Sequence, residues 1–192
     1  MQILAIDLGT EILPALALGI EKPEPGVMDA PPRSKKKGVI DRVVLFRGYA
    51  FLGLLEAAAV LIIYYFVLYR GGWKPGMQLE PDDTTFLNPL HLKAATMVFL
   101  GIVVMQIANI FACRSEKYSA LKLGFFNNKL ILVGIFFELI FACVIVYVPF
   151  AQRIFNTIGL GWKDWGILFV FMLIIFLIEE LRKKFSKCAH AK

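Results

Sequence analysis

Long apolar runs separated by short charged tracts set the organisation of this chain. Residues 1–20 are apolar apart from Gln2, Asp7, Thr10 and Glu11, and longer runs follow at about 43–69, 95–113, 130–148 and 165–178. A helix rises about 1.5 Å per residue and a bilayer core is about 30 Å thick, so these runs predict membrane-spanning helices. The last run is short and is expected to reach the interface through the turn that holds Glu179 and Glu180. Trp73, Tyr147, Trp162 and Trp165 fall near the predicted ends, where aromatic belts form. The expected fold class is an all-α membrane protein, a bundle of about five transmembrane helices with the first truncated and locally unwound. Its parts are a partial transmembrane helix at 1–20, a Pro- and Lys-rich cytosolic loop at 21–42, a four-helix membrane bundle at 43–185 and a cytosolic tail at 186–192.

Composition supports the same class. Of 192 residues, 58% are hydrophobic, too many for one soluble domain of this length. The net charge of +6 could suggest nucleic acid, but its distribution argues against that partner. Basic residues gather at Lys22, Arg33, Lys35, Lys36, Lys37 and Arg42, at Arg114, Lys117, Lys122 and Lys129, and at Arg182, Lys183, Lys184, Lys187 and Lys192. The alternate loops hold only Arg70, Lys74 and Lys93, and Arg153 and Lys163. This asymmetry of roughly three to one places the C-terminus in the cytoplasm. The lysine run at 35–37 reads as a topology anchor or a contact with acidic lipid. Short loops and a short tail point to a prokaryotic plasma membrane. Cys113, Cys143 and Cys188 are too far apart to suggest a disulfide framework or a zinc site. A signal peptide is a poor reading of the first twenty residues, since two acids interrupt the apolar run and no basic segment precedes it.

The polar groups at membrane depth carry the chemistry. Asp7 and Glu11 are four residues apart and share a helical face. A carboxylate at the bilayer centre costs roughly 2.5–3.5 kcal/mol on insertion scales, so the pair calls for a compensating ligand, and a transported cation is the natural one. Gly9 weakens the helix between them, and Pro14 cannot donate to the carbonyl of Thr10, so backbone oxygens are freed nearby. Gln106 and Asn109, three residues apart, can present two amide oxygens to a common point, or can make interhelical hydrogen bonds worth about 0.6 kcal/mol. Spacing alone leaves both readings open. Glu56 and Glu138 lie near the middle of the second and fourth runs. Each is either a protonated, hydrogen-bonded acid or a site residue, and the residues themselves rank them equally.

Several motifs, in order, carry a resemblance. The run IDLGTEILPALALG at 6–19, with MDAPPR at 28–33, resembles the sixth transmembrane helix and following cytosolic loop of P-type cation-transporting ATPases. FACRSEK at 111–117 and NNKLILVGIFFEL at 127–139 are similar to the end of the eighth helix and the start of the ninth, and EELRKKF at 179–185 to the end of the tenth. The resemblance covers essentially the whole chain. It implies that Asp7, Thr10 and Glu11 bind the cation, that Gln106 and Asn109 match eighth-helix ligands, and that Glu138 matches a ninth-helix glutamate tied to the extra sodium site of sodium pumps. Glu11 departs from the family's usual aspartate by one methylene, which alters its reach. Glu56 matches no ligand of the family and falls below Glu138 on that ground.

The same family phosphorylates an aspartate in DKTGT, and neither that motif nor a TGES loop occurs in this sequence. The chain is therefore expected to have no ATPase activity of its own, ATP and magnesium being handled by domains outside it. Two functions follow. The first is the ion-binding C-terminal membrane domain of an ATP-driven cation pump for sodium, calcium or a related ion, partnered by the lipid bilayer, the preceding transmembrane helices and a cytosolic phosphorylation domain. The second is a stand-alone membrane scaffold derived from such a pump. Met1 lies only about 9 Å of helix before Asp7, where half a bilayer needs about 15 Å, so the first span is expected to be a remnant of a longer one.

Overall fold

The computed structural model describes residues 1–23, 28, 42–76, 89–115 and 118–190. The lysine run at 35–37, most of the proline-rich loop and Lys192 lie outside the described residues. Every regular element among those described is helical. Among the described residues four helices are long and apolar enough to cross a membrane: α1 (Gln2–Gly19), α2 (Phe46–Arg70), α3 (Pro89–Cys113) and α5 (Lys129–Tyr147). Between them come the short α4 (Ala120–Leu123) and α6 (Pro149–Phe155), and α7 (Trp162–His190) closes the chain. The protein is an all-α membrane bundle.

Three helices differ from the expected spans for physical reasons. α3 starts at Pro89, well before the apolar run, because proline suits the first turn of a helix and the polar His91 and Lys93 do not interrupt it. α7 is one continuous helix, but Lys163 and Asp164 before its uncharged stretch at 165–178, and Glu179, Glu180 and Arg182 after it, leave it less apolar than the other four. α1 widens into a π segment at Ile6–Thr10 and resumes α geometry at Ile12. The local departure expected around Gly9 is a widened turn and not an open one.

α3 is the central helix. It packs against α2, α7 and α5, and Met97, Leu100, Val103, Val104 and Met105 are fully buried along it. α1 lies against α5 where two backbones come close. A Cβ placed at Gly134 would sit 3.2 Å from the Pro14 nitrogen and 3.4 Å from the Leu13 carbonyl carbon. Pro14 has no N–H to lose in that contact, so proline on one side and glycine on the other let the helices meet.

Polar clamps tie one end of the bundle. Asn128 caps α5 by accepting from the Leu130 and Ile131 amides, and its Nδ2 donates to the Ala17 carbonyl and, at 2.7 Å, to Glu21. Arg114 donates to Glu21 at 2.8 Å and to the Gly124 carbonyl. Burial alone would raise the Glu21 carboxyl, but the hydrogen bonds from Arg114 and Asn128 and the charge of Arg114 outweigh it and hold the group below its ordinary value. Arg47 on α2 reaches Glu179 on α7 at 2.6 Å, and Arg182 closes on the same carboxylate. The opposite end is joined by Lys93 and Asp164 at 3.0 Å and by the Trp165 indole, which donates to the Tyr147 hydroxyl at 2.7 Å.

The close approach yields a direct test. Gly134→Ala should destabilise the bundle by about 1–3 kcal/mol, the usual cost of forcing a methyl group into a filled contact. Gly166→Ala on α7, where a Cβ meets nothing within 4 Å, should be neutral or stabilising. Thermal unfolding in detergent measures both, and equal melting temperatures for the two variants would contradict the packing described.

Candidate functional site

The π segment of α1 fixes the first group of polar side chains. Its wider turn brings the Glu11 amide to the Ile6 carbonyl at 3.3 Å. The Thr10 hydroxyl donates to that same carbonyl at 2.7 Å, which holds the buried side chain against the helix. In that position Thr10 Oγ1 lies 3.5 Å from Gln106 Oε1 on α3. Gln106 Nε2 in turn donates to the Glu11 carboxylate. Thr10, Glu11 and Gln106 thus form one polar group across α1 and α3.

Asn109 goes elsewhere. Its Nδ2 donates to Glu56 Oε2 on α2 at 2.8 Å, and its own Oδ1 is buried without a hydrogen-bond partner. The three-residue spacing does put Gln106 and Asn109 on one face, but each turns to a different neighbouring helix, and both offer an amide hydrogen instead of converging oxygens. Glu138 on α5 is 1% exposed, and neither of its carboxyl oxygens has a hydrogen-bond partner. Asp7 is exposed on the open edge of α1, as is Glu11.

Glu11 is the electrostatic centre of this arrangement. Asp7 one turn before it, Glu56 on α2 and Glu138 on α5 all lie within its electrostatic reach. Gly9 makes the approach of α5 possible, since a Cβ there would collide with the Phe141 ring. Among the described residues no three His, Cys, Asp or Glu side chains come close enough together to hold a metal ion. Of these acids, Glu11 and Glu56 each accept an amide hydrogen, from Gln106 and Asn109 respectively, and Glu138 has no hydrogen-bond partner. A half-turn of the Gln106 amide exchanges its donor for an acceptor, so one side chain can bond the empty carboxylate or face a cation beside it.

Glu56, which its depth ranks level with Glu138 and the family resemblance places below it, is the acid that Asn109 bonds. Its depth in the second apolar run was the available signal, and the hydrogen bond from Asn109 now places it beside the group.

Residues 1–185 match the family described as cation transporting ATPase, C-terminus. The chain belongs to that family. It is 30% identical over 205 residues to potassium-transporting ATPase alpha chain 2 of Oryctolagus cuniculus, an alignment covering 96% of this chain and 19% of that protein. It is also 30% identical over 202 residues to sodium/potassium-transporting ATPase subunit alpha-4 of Rattus norvegicus, covering 94% of this chain and 20% of the relative. Calcium-transporting ATPase 1 of Yarrowia lipolytica is 30% identical over 187 residues, covering 97% of this chain and 18% of that protein. The chain spans about one fifth of the length of these curated relatives and corresponds to the C-terminal membrane region of cation-transporting ATPases. All three relatives are eukaryotic, so they lend nothing to a prokaryotic source.

Proposed function

We propose that this membrane region supplies cation ligands to an ATP-driven pump whose phosphorylation and nucleotide-binding domains, and preceding transmembrane helices, lie outside the sequence described. Asp7, Thr10, Glu11, Gln106, Asn109 and Glu138 form its ligand set. The observation that carries this reading is the meeting of Glu11 with Gln106 and Thr10 across α1 and α3. A charged carboxylate, a neutral amide and a hydroxyl together suit a hard cation such as sodium or calcium, with cavity size and ligand number making the choice.

Exposure supports the same reading. Ile3, Leu4, Leu8, Ile12 and Leu16 are exposed along α1, and so are Asp7 and Glu11. Apolar side chains suit lipid, but an acid facing hydrocarbon costs roughly 2.5–3.5 kcal/mol. The acidic edge of α1 is therefore covered by other helices of the pump or by a hydrated cavity. Glu138 adds a buried carboxyl with unfilled oxygens within reach of Glu11. In the working cycle, charge arriving with the cation would offset the mutual repulsion of Asp7, Glu11 and Glu138. Phosphorylation in the distant domain would then switch the side from which they are reached.

The charge asymmetry of the loops orients this region with the C-terminus in the cytoplasm. A reporter fused after Lys192 should read as cytoplasmic and one inserted near Asp82 as external. Labelling of Lys36 from outside the cell would overturn that orientation.

The ligand assignment is tested in a complete pump carrying this region. Asp7→Asn and Glu11→Gln keep the shape and remove the charge, so each should raise the cation concentration for half-maximal phosphoenzyme formation by tenfold or more, about 1.4 kcal/mol. Melting temperature without cation should hold or rise, because a costly charge has left the membrane. Unchanged apparent affinity in both variants at normal expression would show that these acids are structural.

A further inference from the structure

Glu56 is the intramembrane acid that the ligand set above leaves out, and three observations bear on it. The first is its position along α2. It lies in the first α turn after a π segment at Phe46–Gly53. Glu11 likewise follows directly on the π segment of α1. Each π segment re-aims the residues beyond it by about one residue's rotation, and such segments concentrate at functional sites.

The second observation concerns Asn109. Its Nδ2 holds Glu56 Oε2 at 2.8 Å, while its Oδ1 is buried with no partner. An unpaired buried acceptor costs about 1–3 kcal/mol, so protein partners alone leave this pair incomplete. If the amide turns by half a rotation, Oδ1 comes beside Oε2. Two acceptors at that separation repel each other, unless a proton on the carboxyl or a cation lies between them. Their spacing matches neighbouring oxygens around a hard cation whose ligand distances are about 2.3–2.6 Å.

The third observation is charge. The Glu11 carboxylate acts on Glu56 more weakly than burial does, and its negative charge adds to the attraction for a cation held at Glu56.

We propose that Glu56 is a further cation ligand, acting with Asn109 Oδ1 to hold a hard cation between α2 and α3 beside the position served by Glu11. This rests on the reading in which Glu11 and Gln106 hold the transported cation. It extends the ion-sensing helices from α1, α3 and α5 to α2, whose Arg47 is ion-paired to Glu179 of α7.

Glu56→Gln separates this role from a structural one. The glutamine carbonyl still accepts from Asn109 Nδ2, so a residue that only links two helices would be unaffected, whereas a ligand loses its charge. In the complete pump we expect Glu56→Gln to raise the half-saturating cation concentration by at least tenfold in both equilibrium isotope binding and phosphoenzyme formation. Unchanged affinity overturns the proposal. Asp7→Asn and Glu11→Gln, measured alongside, keep the two ideas apart. If they weaken binding while Glu56→Gln does not, only the Glu56 assignment fails; if none of the three changes affinity, the wider ligand reading fails. A second measurement needs no variant. A hydrophobic carbodiimide applied to the unmodified pump should label Glu56 in cation-free medium, and sodium or calcium, whichever the pump transports, should protect it. Labelling by peptide mass spectrometry that is the same with and without the cation, including none in either, overturns the assignment.

Discussion

Four carboxyl groups lie on the apolar helices of this bundle, Glu138 buried, Glu56 half-buried and Asp7 and Glu11 on the open edge of α1, and the cost of keeping them at membrane depth organises what surrounds them. Each acid at membrane depth costs roughly 2.5–3.5 kcal/mol, and mutual repulsion adds to that when Asp7, Glu56 and Glu138 all lie within reach of Glu11. Two of the acids are partly relieved by amides, Glu11 by Gln106 and Glu56 by Asn109. Glu138 has no such relief. A neutral amide removes little of the cost of a charge, whereas a cation removes much of it, which is the physical basis of the proposed ligand role.

Such a site requires helices to meet closely and stay in register. Glycine at positions 9 and 134, with Pro14, lets α1 press against α5, so Glu11 comes within reach of Glu138. The ends of the bundle are then fixed by the Glu21, Arg114 and Asn128 clamp, by Arg47 with Glu179, and by Lys93 with Asp164. The Arg47–Glu179 and Arg114–Glu21 pairs are largely buried and hold because hydrogen bonds accompany the charges, whereas Lys93–Asp164 is the more exposed pair. The middle of α3 can therefore carry Gln106 and Asn109 without loosening the fold.

Much of this was legible in the sequence. The apolar runs marked α2 and α5 to within a few residues, because a bilayer demands length and apolarity together. Depth, spacing and resemblance singled out Asp7, Thr10, Glu11, Gln106, Asn109 and Glu138 as candidates, and of these the structure brings Thr10, Glu11 and Gln106 together. The π segments could not, because a single extra residue in a turn leaves no periodic trace over so short a stretch. Nor could the division of Gln106 and Asn109 between two partners. Spacing fixes which side chains share a face, but the rotation of each neighbouring helix decides what that face meets. The Asn109–Glu56 bond was hidden for the same reason, since it depends on how α2 is turned against α3. The long α7 ran past its apolar stretch because charged residues at a bilayer surface do not end a helix.

The claim on which all else rests is that the Glu11, Gln106 and Thr10 oxygens hold a cation. Its most direct test is anomalous scattering from crystals of a complete pump bearing this region, loaded with a heavy surrogate of the transported ion. The expected result is a peak within about 3 Å of Glu11 and Gln106 oxygens, with the Gln106 amide turned away from its present hydrogen bond to Glu11. A fully occupied surrogate site elsewhere, with that hydrogen bond intact and no density beside Glu11, would contradict it.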